Sequence, residues 1–589
     1  MALAAQSAEA ASAFLGVEVS MTARRWVGPS VEEERSAAAL AQRAGLDPAV
    51  AAILARRDVA PEAAQAFLAP ALRDLLPDPA VLKDMEAASS RVARALKARE
   101  RIAVFADYDV DGGASAALLM TWLRQMGHDA TLYVPDRIEE GYGPNVPAMA
   151  RLAESHDLIV CVDCGTLSHA PIAAAKGADV IVLDHHLSEA ELPDCVAVVN
   201  PNRQDEPGTL GHLCAAGVVF LLLVDLNRRL RAEGVAGPDL MAMLDLVALA
   251  TVADVAPLKG VNRAFVRQGL TVMARRERPG LVALSDVARL DRAPTSYHLG
   301  YVLGPRVNAG GRIGEADLGA RLLACTSAEE AAALAARLDT LNTDRREIEA
   351  RVRDAALAEA EARGPDAPLA WAAGDGWHPG VVGIVASRLK EQMNRPAVVI
   401  GFDGDAGKGS GRSVPGVDLG ASIQRLAAEG LIERGGGHRM AAGLSLSRAQ
   451  LEPAMARLSE LLARQGAGAG GAADLRLDGV LMPQAATAEL IERIEAAGPF
   501  GAASPAPRFA FPAMRIRSAR PVGERHLRLS FSDGDTTMEA IAFDASGSGL
   551  DGLQAHGGRP VHLAGRVEMN HWNGRARVQL RLEDAAWAP

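Results

Sequence analysis

The chain has 589 residues, which is too long for one hydrophobic core and indicates three or more domains. Hydrophobic residues make up 49% and charged residues 23%, a balance that excludes a disordered or fibrous chain. The net charge of -11 argues against a uniformly positive surface but permits a local basic channel.

Residues 1–95 are predicted to form helices and turns. From Ile102 to Asn200, short apolar runs that end in Asp or Pro alternate with helical stretches: "RIAVFAD", "DATLYVPD", "DLIVCVD" and "DVIVLDHH". Continuous apolar runs that alternate with helices predict a parallel sheet covered on both faces. We therefore expect an α/β domain over residues 96–260.

The rest of the chain is predicted to contain a helical region, a second α/β segment and a barrel. Residues 261–363 are predicted to be helical and include a long charged stretch that can connect two lobes, although a solvated helix face explains its charges equally well. Residues 364–464 form the second α/β segment, and 465–474 are a Gly/Ala linker. Alternating strands in 475–589 predict a small antiparallel barrel.

Five cysteines indicate a reducing compartment without a disulfide framework. Cys161 and Cys164 form a C-x-x-C, but no second pair completes a zinc set, so a zinc or redox role is only an alternative. The N-terminus lacks the basic start of a signal peptide, and the apolar run from Leu213 to Val224 is too short to span a membrane. We expect a cytoplasmic protein with a core helix at that run.

Acidic and histidine side chains follow the ends of the predicted strands. They are Asp107, Asp109, Asp111, Asp163, Asp184, His185 and His186, with Asp254 further on. A single strand-end Asp is commonly the N-cap of the next helix. Several carboxylates at one sheet edge, however, repel one another unless cations neutralise them. The mixed Asp/His set predicts two divalent ions, Mn²⁺ or Mg²⁺.

Four motifs, "DYDVDG", "VDCGT", "LDHHLS" and "ADVAPL", resemble in this order the signature motifs of the DHH phosphoesterase superfamily. "PDRIEEGYGPN" and "LGPRVNAGGRIGEADLGARLL" resemble middle blocks of its RecJ branch, the single-strand-specific 5′→3′ exonucleases. "WHPGVVGIVASRL", "GSGRS" and "RGGGHRMAAG" resemble the DHH-associated domain, and "GPFG" and "LAGRVEMNHWNG" the C-terminal OB-fold. The resemblance implies a DHH parallel-sheet catalytic domain, a long connecting helix, a second α/β domain and an OB-fold barrel.

The resemblance also implies functions for particular residues. The metal ligands would be Asp109, Asp111, Asp163, His185, His186 and Asp254, with Asp107 a direct ligand or a supporting group. Asp163 would bridge the ions, and Asp109, Asp163 and His186 would take part in catalysis. Asp184 is expected to orient a histidine instead. The chemistry implied is two-metal phosphodiester hydrolysis.

A second set of residues is expected to hold DNA or its 5′ phosphate: Arg137, Arg306, Asn308, Arg312, His378, Ser410, Arg412, Ser413, Gly436 and His438. Arg306, Asn308 and Arg312 are predicted to lie in a Gly-rich loop. Arginine forks and glycine backbone suit phosphate binding. The alternatives are solvated arginines, histidines satisfied by loop or core contacts, and a tight turn at "GGG".

The barrel contains basic groups and few aromatic residues, which suits a single strand bound mainly through its phosphates. The expected contacts are Arg528, Arg566, Trp572 and Arg575, although Trp572 could equally be core. Two features depart from the family pattern: "AASP" follows "GPFG", and Cys214 precedes "AAGVVF" where a small hydroxyl residue is expected. Both departures affect local packing or domain fit, not the metal motifs.

The expected function is a single-stranded-DNA-specific 5′→3′ exonuclease that releases 5′-mononucleotides in recombination and repair. One alternative is a superfamily enzyme that cleaves oligonucleotides or cyclic dinucleotides. The other is a non-catalytic scaffold that binds single-stranded DNA, although such a chain should have lost metal-ligand positions. Single-strand-binding protein and a helicase are expected partners from the resemblance alone, and the protein is expected to be a monomer.

Overall fold

The structure, a computed structural model, describes residues 13–364, 367–468, 473–572 and 575–589. For residues 571–575 it does not describe the side chains. The described residues form two compact units. The first takes those before Leu72 and most of those after Ala469; the second takes those of Leu72–Ala469 together with Gly501–Ala503. The predicted linker 465–474 lies partly outside the described residues.

The N-terminal part of the first unit consists of β1 (Arg24–Val27), α1 (Val31–Ala44), α2 (Pro48–Ala55) and α3 (Ala64–Leu68). Helix α1 begins at a capping box in which Ser30 and Glu33 satisfy each other's backbone N–H groups. The region is mostly helical, as predicted, but it also contains β1. This strand pairs in parallel with Ala473–Arg476, near the other end of the chain.

The second unit begins with the predicted parallel sheet. Its elements are α4 (Leu72–Leu75), α5 (Met85–Ala98), β2 (Ile102–Ala106), α6 (Val110–Gln125), β3 (Ala130–Tyr133), α7 (Val146–Ser155), β4 (Leu158–Val162), α8 (His169–Ala173), β5 (Asp179–Leu183) and β6 (Ala197–Val199). The strand order is β3-β2-β4-β5-β6, and all pairings are parallel. Every residue of β2 and β4 is buried, which confirms a sheet covered on both faces.

Helices follow: α9 (Ala215–Ala232), α10 (Leu244–Ala253), α11 (Gly260–Met273), α12 (Pro279–Val287), α13 (Ser296–His298), α14 (Gly304–Ile313), α15 (Leu318–Ala324) and α16 (Ala328–Ala362). A π-helical turn, Leu299–Leu303, joins α13 to α14. Helix α9 is the expected core helix, and α16, with 35 residues, is the expected long connector. No described helix is both long and apolar enough to cross a membrane.

The Gly-rich loop predicted for "GPRVNAGGR" is wrong, because this segment is helix α14. Its glycines are required by close packing rather than by a turn. A Cβ on Gly311 would lie 2.6 Å from the carbonyl oxygen of Tyr108. Tertiary packing therefore outweighs the poor helix propensity of glycine.

The second α/β segment contains β7 (Ala370–Asp375), α17 (Pro379–Met393), β8 (Ala397–Asp403), β9 (Ala406–Arg412), α18 (Leu419–Ala428), β10 (Arg434–His438), β11 (Ala441–Ser447) and α19 (Leu451–Ala463). Its sheet has the order β10-β11-β9-β8-β7. The alternative of a tight turn at "GGG" is wrong, since these glycines belong to β10 and pair with β11. A Cβ on Gly435 would lie 2.5 Å from Ile423, so close packing requires glycine there.

The rest of the first unit contains β12 (Ala473–Arg476), β13 (Gly479–Val480), α20 (Ala488–Ala496), β14 (Phe509–Val522), β15 (His526–Ser532), β16 (Thr537–Ala542), β17 (Pro560–Trp572) and β18 (Arg575–Trp587). Pairing of β14 with both β15 and β17 closes the barrel. The Trp26 indole donates to the fully buried Asp584 carboxylate at 2.9 Å and ties β1 to the barrel. The two units also contain short 3-10 helical turns, at Phe14–Gly16, Pro61–Ala63, Pro79–Val81, Met241–Met243, Arg448–Gln450, Pro483–Ala485 and Leu550–Ala555.

Candidate metal centre

The strand-end carboxylates meet at one edge of the parallel sheet. Asp107 directly follows β2, Asp163 follows β4, and Asp184 follows β5. The backbone of Asp163 adopts a left-handed conformation, with φ of +61°. This conformation is uncommon outside glycine and turns the chain sharply at a buried carboxylate.

Asp109 is the N-cap of α6, as a single strand-end Asp often is. One of its carboxylate oxygens accepts hydrogen bonds from the N–H groups of Asp111 and Gly112, at 2.8 and 3.2 Å. A Cβ on Gly112 would lie 2.4 Å from the carbonyl oxygen of Asp107. The loop that carries the aspartates is therefore packed directly on the first turn of the helix.

Asp111 explains one departure from the family pattern. Cys214 precedes α9 and gives it no side-chain cap. The fully buried Asp111 carboxylate instead accepts from the N–H groups of Ala215 and Ala216, at 2.7 and 2.9 Å. A carboxylate from α6 thus accepts from the N–H groups at the start of α9, next to the position where the resemblance led us to expect a hydroxyl residue.

Three groups of side chains bring their ligand atoms within 4.8 Å of one another: Asp107, Asp109 and Asp163; Asp163, His185 and His186; Asp111, His185 and Asp254. His185 Nε2 lies 3.2 Å from an Asp163 oxygen and 3.9 Å from an Asp254 oxygen. Asp163 belongs to two of the groups, as expected of a bridging carboxylate. The structure thus brings together all seven predicted metal ligands.

The chemistry of these groups fits divalent cations. One oxygen of Asp107 and one of Asp163 are buried without a hydrogen-bond partner among the described residues. Buried carboxylate oxygens are costly when unpaired, and a cation removes that cost. Oxygen ligands mixed with imidazole suit Mn²⁺ or Mg²⁺.

Burial and mutual repulsion favour the protonated carboxyl groups. Burial, followed by the charge of Asp109, raises the pKa of Asp107, and burial with the charges of Asp111 and Asp109 raises that of Asp163. For Asp254, burial and the same two charges raise the pKa to about 9. The centre therefore holds protons at neutral pH that cation binding must displace.

Asp184 behaves as the expected partner of a histidine. Its carboxylate lies 2.8 Å from His186 Nδ1 and also accepts from the N–H groups of Thr166 and His185. Burial opposes its ionisation, but the hydrogen bond and charge of His186 outweigh burial and hold the pKa of Asp184 below its usual value. Burial likewise opposes the charged His186, yet Asp184 raises the pKa of His186 to about 9.

Sequence reasoning missed three residues that support the histidines. The Tyr142 hydroxyl donates to the carbonyl oxygen of Asp163 at 2.9 Å and lies 3.1 Å from His186 Nδ1. Asn200 donates to the carbonyl oxygen of His186, and Asn202 to that of His185. Asn200 directly follows β6, so its strand-end position was a signal that could have identified it.

Two predicted DNA-binding arginines, Arg137 and Arg312, lie near the metal centre, and a third, Arg412, lies in the field of Arg137. Arg137 stacks over the Tyr108 ring at 5.1 Å. Arg312 donates to the carbonyl oxygen of Gly380, and Arg412 donates to the Ser410 hydroxyl at 2.8 Å. Among the described residues, none of the three arginines forms an ion pair with a carboxylate.

Arg137 perturbs the other two arginines and a histidine. Burial and the charges of Arg137 and Arg345 lower the pKa of Arg312 to about 10. Burial and Arg137 also lower the pKa values of Arg412 and His378. Positive groups that destabilise one another in this way favour a bound anion.

Other predicted contacts are engaged within the protein. Arg306 pairs with Asp339 at 2.8 Å, and the Asn308 side-chain oxygen accepts from the Val110 N–H. The buried Ser413 hydroxyl donates to Val417. His438 is exposed and accepts from the Met440 N–H; Gly436 has open space beside its Cα. Their binding of DNA stays a prediction.

The barrel arginines predicted to contact DNA are both paired with carboxylates. Arg528 lies 2.5 Å from Glu539, and Arg566 lies 2.6 Å from Glu583. Trp572 and Arg575 end β17 and begin β18, but their side chains lie outside the described residues. A phosphate would have to compete with Glu539 and Glu583 for the two arginines.

Cys161 and Cys164 are free and fully buried. Burial is the main cause that raises the pKa of both thiols. Cys195 adds a smaller increase to the pKa of Cys161, and Cys161 adds one to the pKa of Cys164. Neither cysteine belongs to a metal-binding group found among the described residues. Inert core thiols account for them better than a zinc or redox role.

Comparison with known families places three domains along the chain. The model of the DHH family, N-terminal domain, matches residues 101–251, that of the DHHA1 domain matches 366–464, and that of the RecJ OB domain matches 477–584. Fold and site thus define a DHH protein with a DHHA1 domain and an OB barrel.

Similar proteins cover most of the chain. The single-stranded-DNA-specific exonuclease RecJ of Dickeya dadantii is 39% identical over 87% of this chain and 92% of its own length. That of Escherichia coli is 37% identical over 85% and 90%. The crystal structure of Thermus thermophilus RecJ with Mn²⁺ has a TM-score of 0.80 and 29% identity, and covers 95% of this chain and 79% of that one. The chain belongs to the RecJ family.

Proposed function

We propose that the protein is a metal-dependent exonuclease that degrades single-stranded DNA from the 5′ end and releases 5′-mononucleotides. The observation that carries the proposal is the convergence of seven carboxylate and imidazole side chains at one sheet edge, where one oxygen each of the buried Asp107 and Asp163 has no hydrogen-bond partner among the described residues. Relatives named single-stranded-DNA-specific exonucleases and a RecJ structure that contains Mn²⁺ support it.

Two divalent ions are proposed to be held by the seven residues of the three groups: Asp107, Asp109, Asp111, Asp163, His185, His186 and Asp254. When bound, such ions supply a hydroxide near neutral pH and stabilise the leaving oxygen. Asp163, which belongs to two groups, is proposed to bridge them. No serine, cysteine or lysine nucleophile is needed.

The residues around the ligands keep the centre in one arrangement. Asp184 accepts from His186 and fixes the orientation of its ring. The Tyr142 hydroxyl donates to the backbone of Asp163 and so supports the left-handed turn there. A site held in this way loses little order when substrate binds.

The unpaired arginines are proposed to bind the terminal 5′ phosphate and its neighbour. The charge of Arg137 disfavours the charged forms of both Arg312 and Arg412, and an anion among the three arginines offsets that repulsion. The Ser410 hydroxyl already accepts from Arg412, and His378 lies in the field of Arg137. A pocket for a terminal phosphate restricts cleavage to strand ends.

Single-strand selectivity is proposed to arise where the two α/β segments of the second unit approach each other. Lys408 of β9 donates to the carbonyl oxygen of Ile138, and a Cβ on Gly380 would lie 2.2 Å from the backbone of Arg312. A DNA strand that passes between segments in such close contact must be single, because a duplex would not fit. A channel in a DNA complex wide enough for a duplex would contradict this explanation.

The retained ligands argue against a scaffold without activity, since a scaffold has no need of seven converging ligands. The barrel argues against a phosphodiesterase restricted to dinucleotides. A role in recombination and repair, interaction with single-strand-binding protein and a helicase, a monomeric state and a cytoplasmic location are further proposals, supported by the family alone.

The proposal is tested with two matched single strands, one labelled at the 5′ end and one at the 3′ end, with Mn²⁺, Mg²⁺ or EDTA. We expect immediate release of labelled mononucleotide from the 5′-labelled strand, only with metal, and an intact duplex control. The Asp163→Ala variant should be inactive. Intact strands under every metal condition, with DNA binding retained, would favour the scaffold.

A further inference from the structure

Two exposed tyrosines stack on each other near the metal centre. Tyr297 is 51% exposed and Tyr301 is 71% exposed, and their ring centroids lie 5.1 Å apart with 26° between the planes. In a chain with only 4% aromatic residues, two rings that leave their faces in solvent are not needed for the core. An i,i+4 aromatic pair stabilises a helix only slightly, so local stability alone does not account for them.

The backbone at the tyrosines is unusual. Tyr301 lies within the π-helical turn Leu299–Leu303, and Tyr297 lies in α13 directly before it. Such π turns are rare and frequently occur at functional sites. The turn continues into α14 without a break, so the tyrosines and α14 form one rigid element.

That element leads directly to the metal centre. Asn308 of α14 accepts from the N–H of Val110, which follows Asp109, and Gly311 packs on Tyr108. At 1.5 Å per helical residue, Tyr301 lies about 10 Å along the helix from Asn308. Tyr301 is thus about two helical turns from the metal-binding loop, and Tyr297, four residues earlier, is about three turns from it.

The π turn also packs against the helix that ends at a metal ligand. A Cβ on Gly300 would lie 3.3 Å from Val252, and one on Gly304 would lie 3.2 Å from Ala253, both in the last turn of α10. Asp254 follows directly. Next to it, Val255 is 69% exposed at a φ of +59°, an outlier for a β-branched residue. Val255 is therefore an exposed apolar side chain directly beside the ligand Asp254.

From this arrangement we propose that Tyr297 and Tyr301 bind unpaired bases of the substrate strand outside the metal centre by stacking. The inference rests on the proposed function and assigns these two residues to substrate positioning. Every base offers a π face, so the contact tolerates any sequence. Bases inside a duplex are already stacked on their neighbours, so only an unpaired base can use the tyrosine faces fully.

The binding test compares two fluorescein-labelled strands of equal length, oligothymidylate and a strand of abasic residues, by anisotropy in EDTA. The Tyr297→Ala/Tyr301→Ala variant should bind oligothymidylate about 10-fold more weakly and the abasic strand as tightly as the wild type does. The Tyr297→Phe/Tyr301→Phe variant keeps both rings and should bind both strands normally. Val235→Ala, at an exposed apolar position of another surface, is the matched control.

Equal weakening for both strands, no weakening, or no measurable binding of either strand would overturn the inference. With Mn²⁺, the alanine variant should raise KM for oligothymidylate about 10-fold and leave kcat unchanged. An unchanged KM would also overturn it. A wild-type protein that binds the strands with this base dependence but never cleaves them would contradict the proposed exonuclease instead.

Discussion

Asp254 and His186 determine how cation binding at the metal centre depends on pH. Burial and the charges of Asp111 and Asp109 raise the pKa of Asp254 to about 9. Asp184 overcomes the effect of burial and raises the pKa of His186 to about 9 as well. Both groups are therefore mainly protonated at pH 7, and a cation can use the carboxylate and the imidazole only after both lose a proton.

We expect Mn²⁺ binding at pH 7 to release at least two protons, one each from Asp254 and His186, and more as Asp107 and Asp163 also ionise. The dissociation constant should fall by about 10- to 100-fold for each pH unit between about 7 and 8.5, because the groups titrate together as a cluster. Isothermal titration calorimetry of metal-free protein in two buffers with different protonation enthalpies measures the released protons directly.

Asp254→Asn removes one titrating carboxyl group and provides the matched variant. It should release about one proton fewer than the wild type and bind Mn²⁺ more weakly. Proton release near zero in the wild type, with a pH-independent affinity, would refute the reasoning. That result would mean that the carboxyl groups are already ionised and that burial does not hold protons in the centre.

Three further predictions concern stability and positioning. The raised pKa of His186 stabilises the metal-free fold below about pH 6.5, and this stabilisation is lost as the pH rises through 9. The buried Asp254 destabilises the fold increasingly over the same pH range. In differential scanning fluorimetry, Tm should therefore fall between about pH 6.5 and 9, and Mn²⁺ should reverse the fall. Tyr142→Phe removes the hydroxyl that supports Asp163 and should lower kcat about 10-fold, with single-strand affinity unchanged. Trp26→Phe leaves the buried Asp584 carboxylate without its indole donor and should cost about 1–3 kcal/mol in urea unfolding, whereas a cost near zero would mean that another donor replaces the indole.

The metal centre was predictable because its residues follow apolar strands. Parallel strands end at one edge, so Asp107, Asp163 and His185 had to lie close together once the sheet was recognised. Their supporting groups carry no such signal. Tyr142 lies in a loop, and its contact with Asp163 depends on how that loop folds over the sheet edge.

The glycine-rich segments show where local sequence misleads. Glycine suggested a loop at α14 and a turn at β10, but Gly311 and Gly435 are there because a neighbouring group leaves no space for a Cβ. Close approach between distant segments decides these elements, and a single sequence does not reveal it. The pairing of β1 with β12 is similar, since its two strands are far apart in the chain.

The most direct test of the account counts bound ions in wild-type protein and in Asp163→Asn by elemental analysis after dialysis against Mn²⁺. Asp163 belongs to two of the three ligand groups, so its loss should affect both ions. We predict two ions for each wild-type chain and at most one in the variant. The variant should fold, because its neutral amide replaces a buried carboxyl group whose pKa burial raises. A variant that retains two ions would contradict a centre bridged by Asp163.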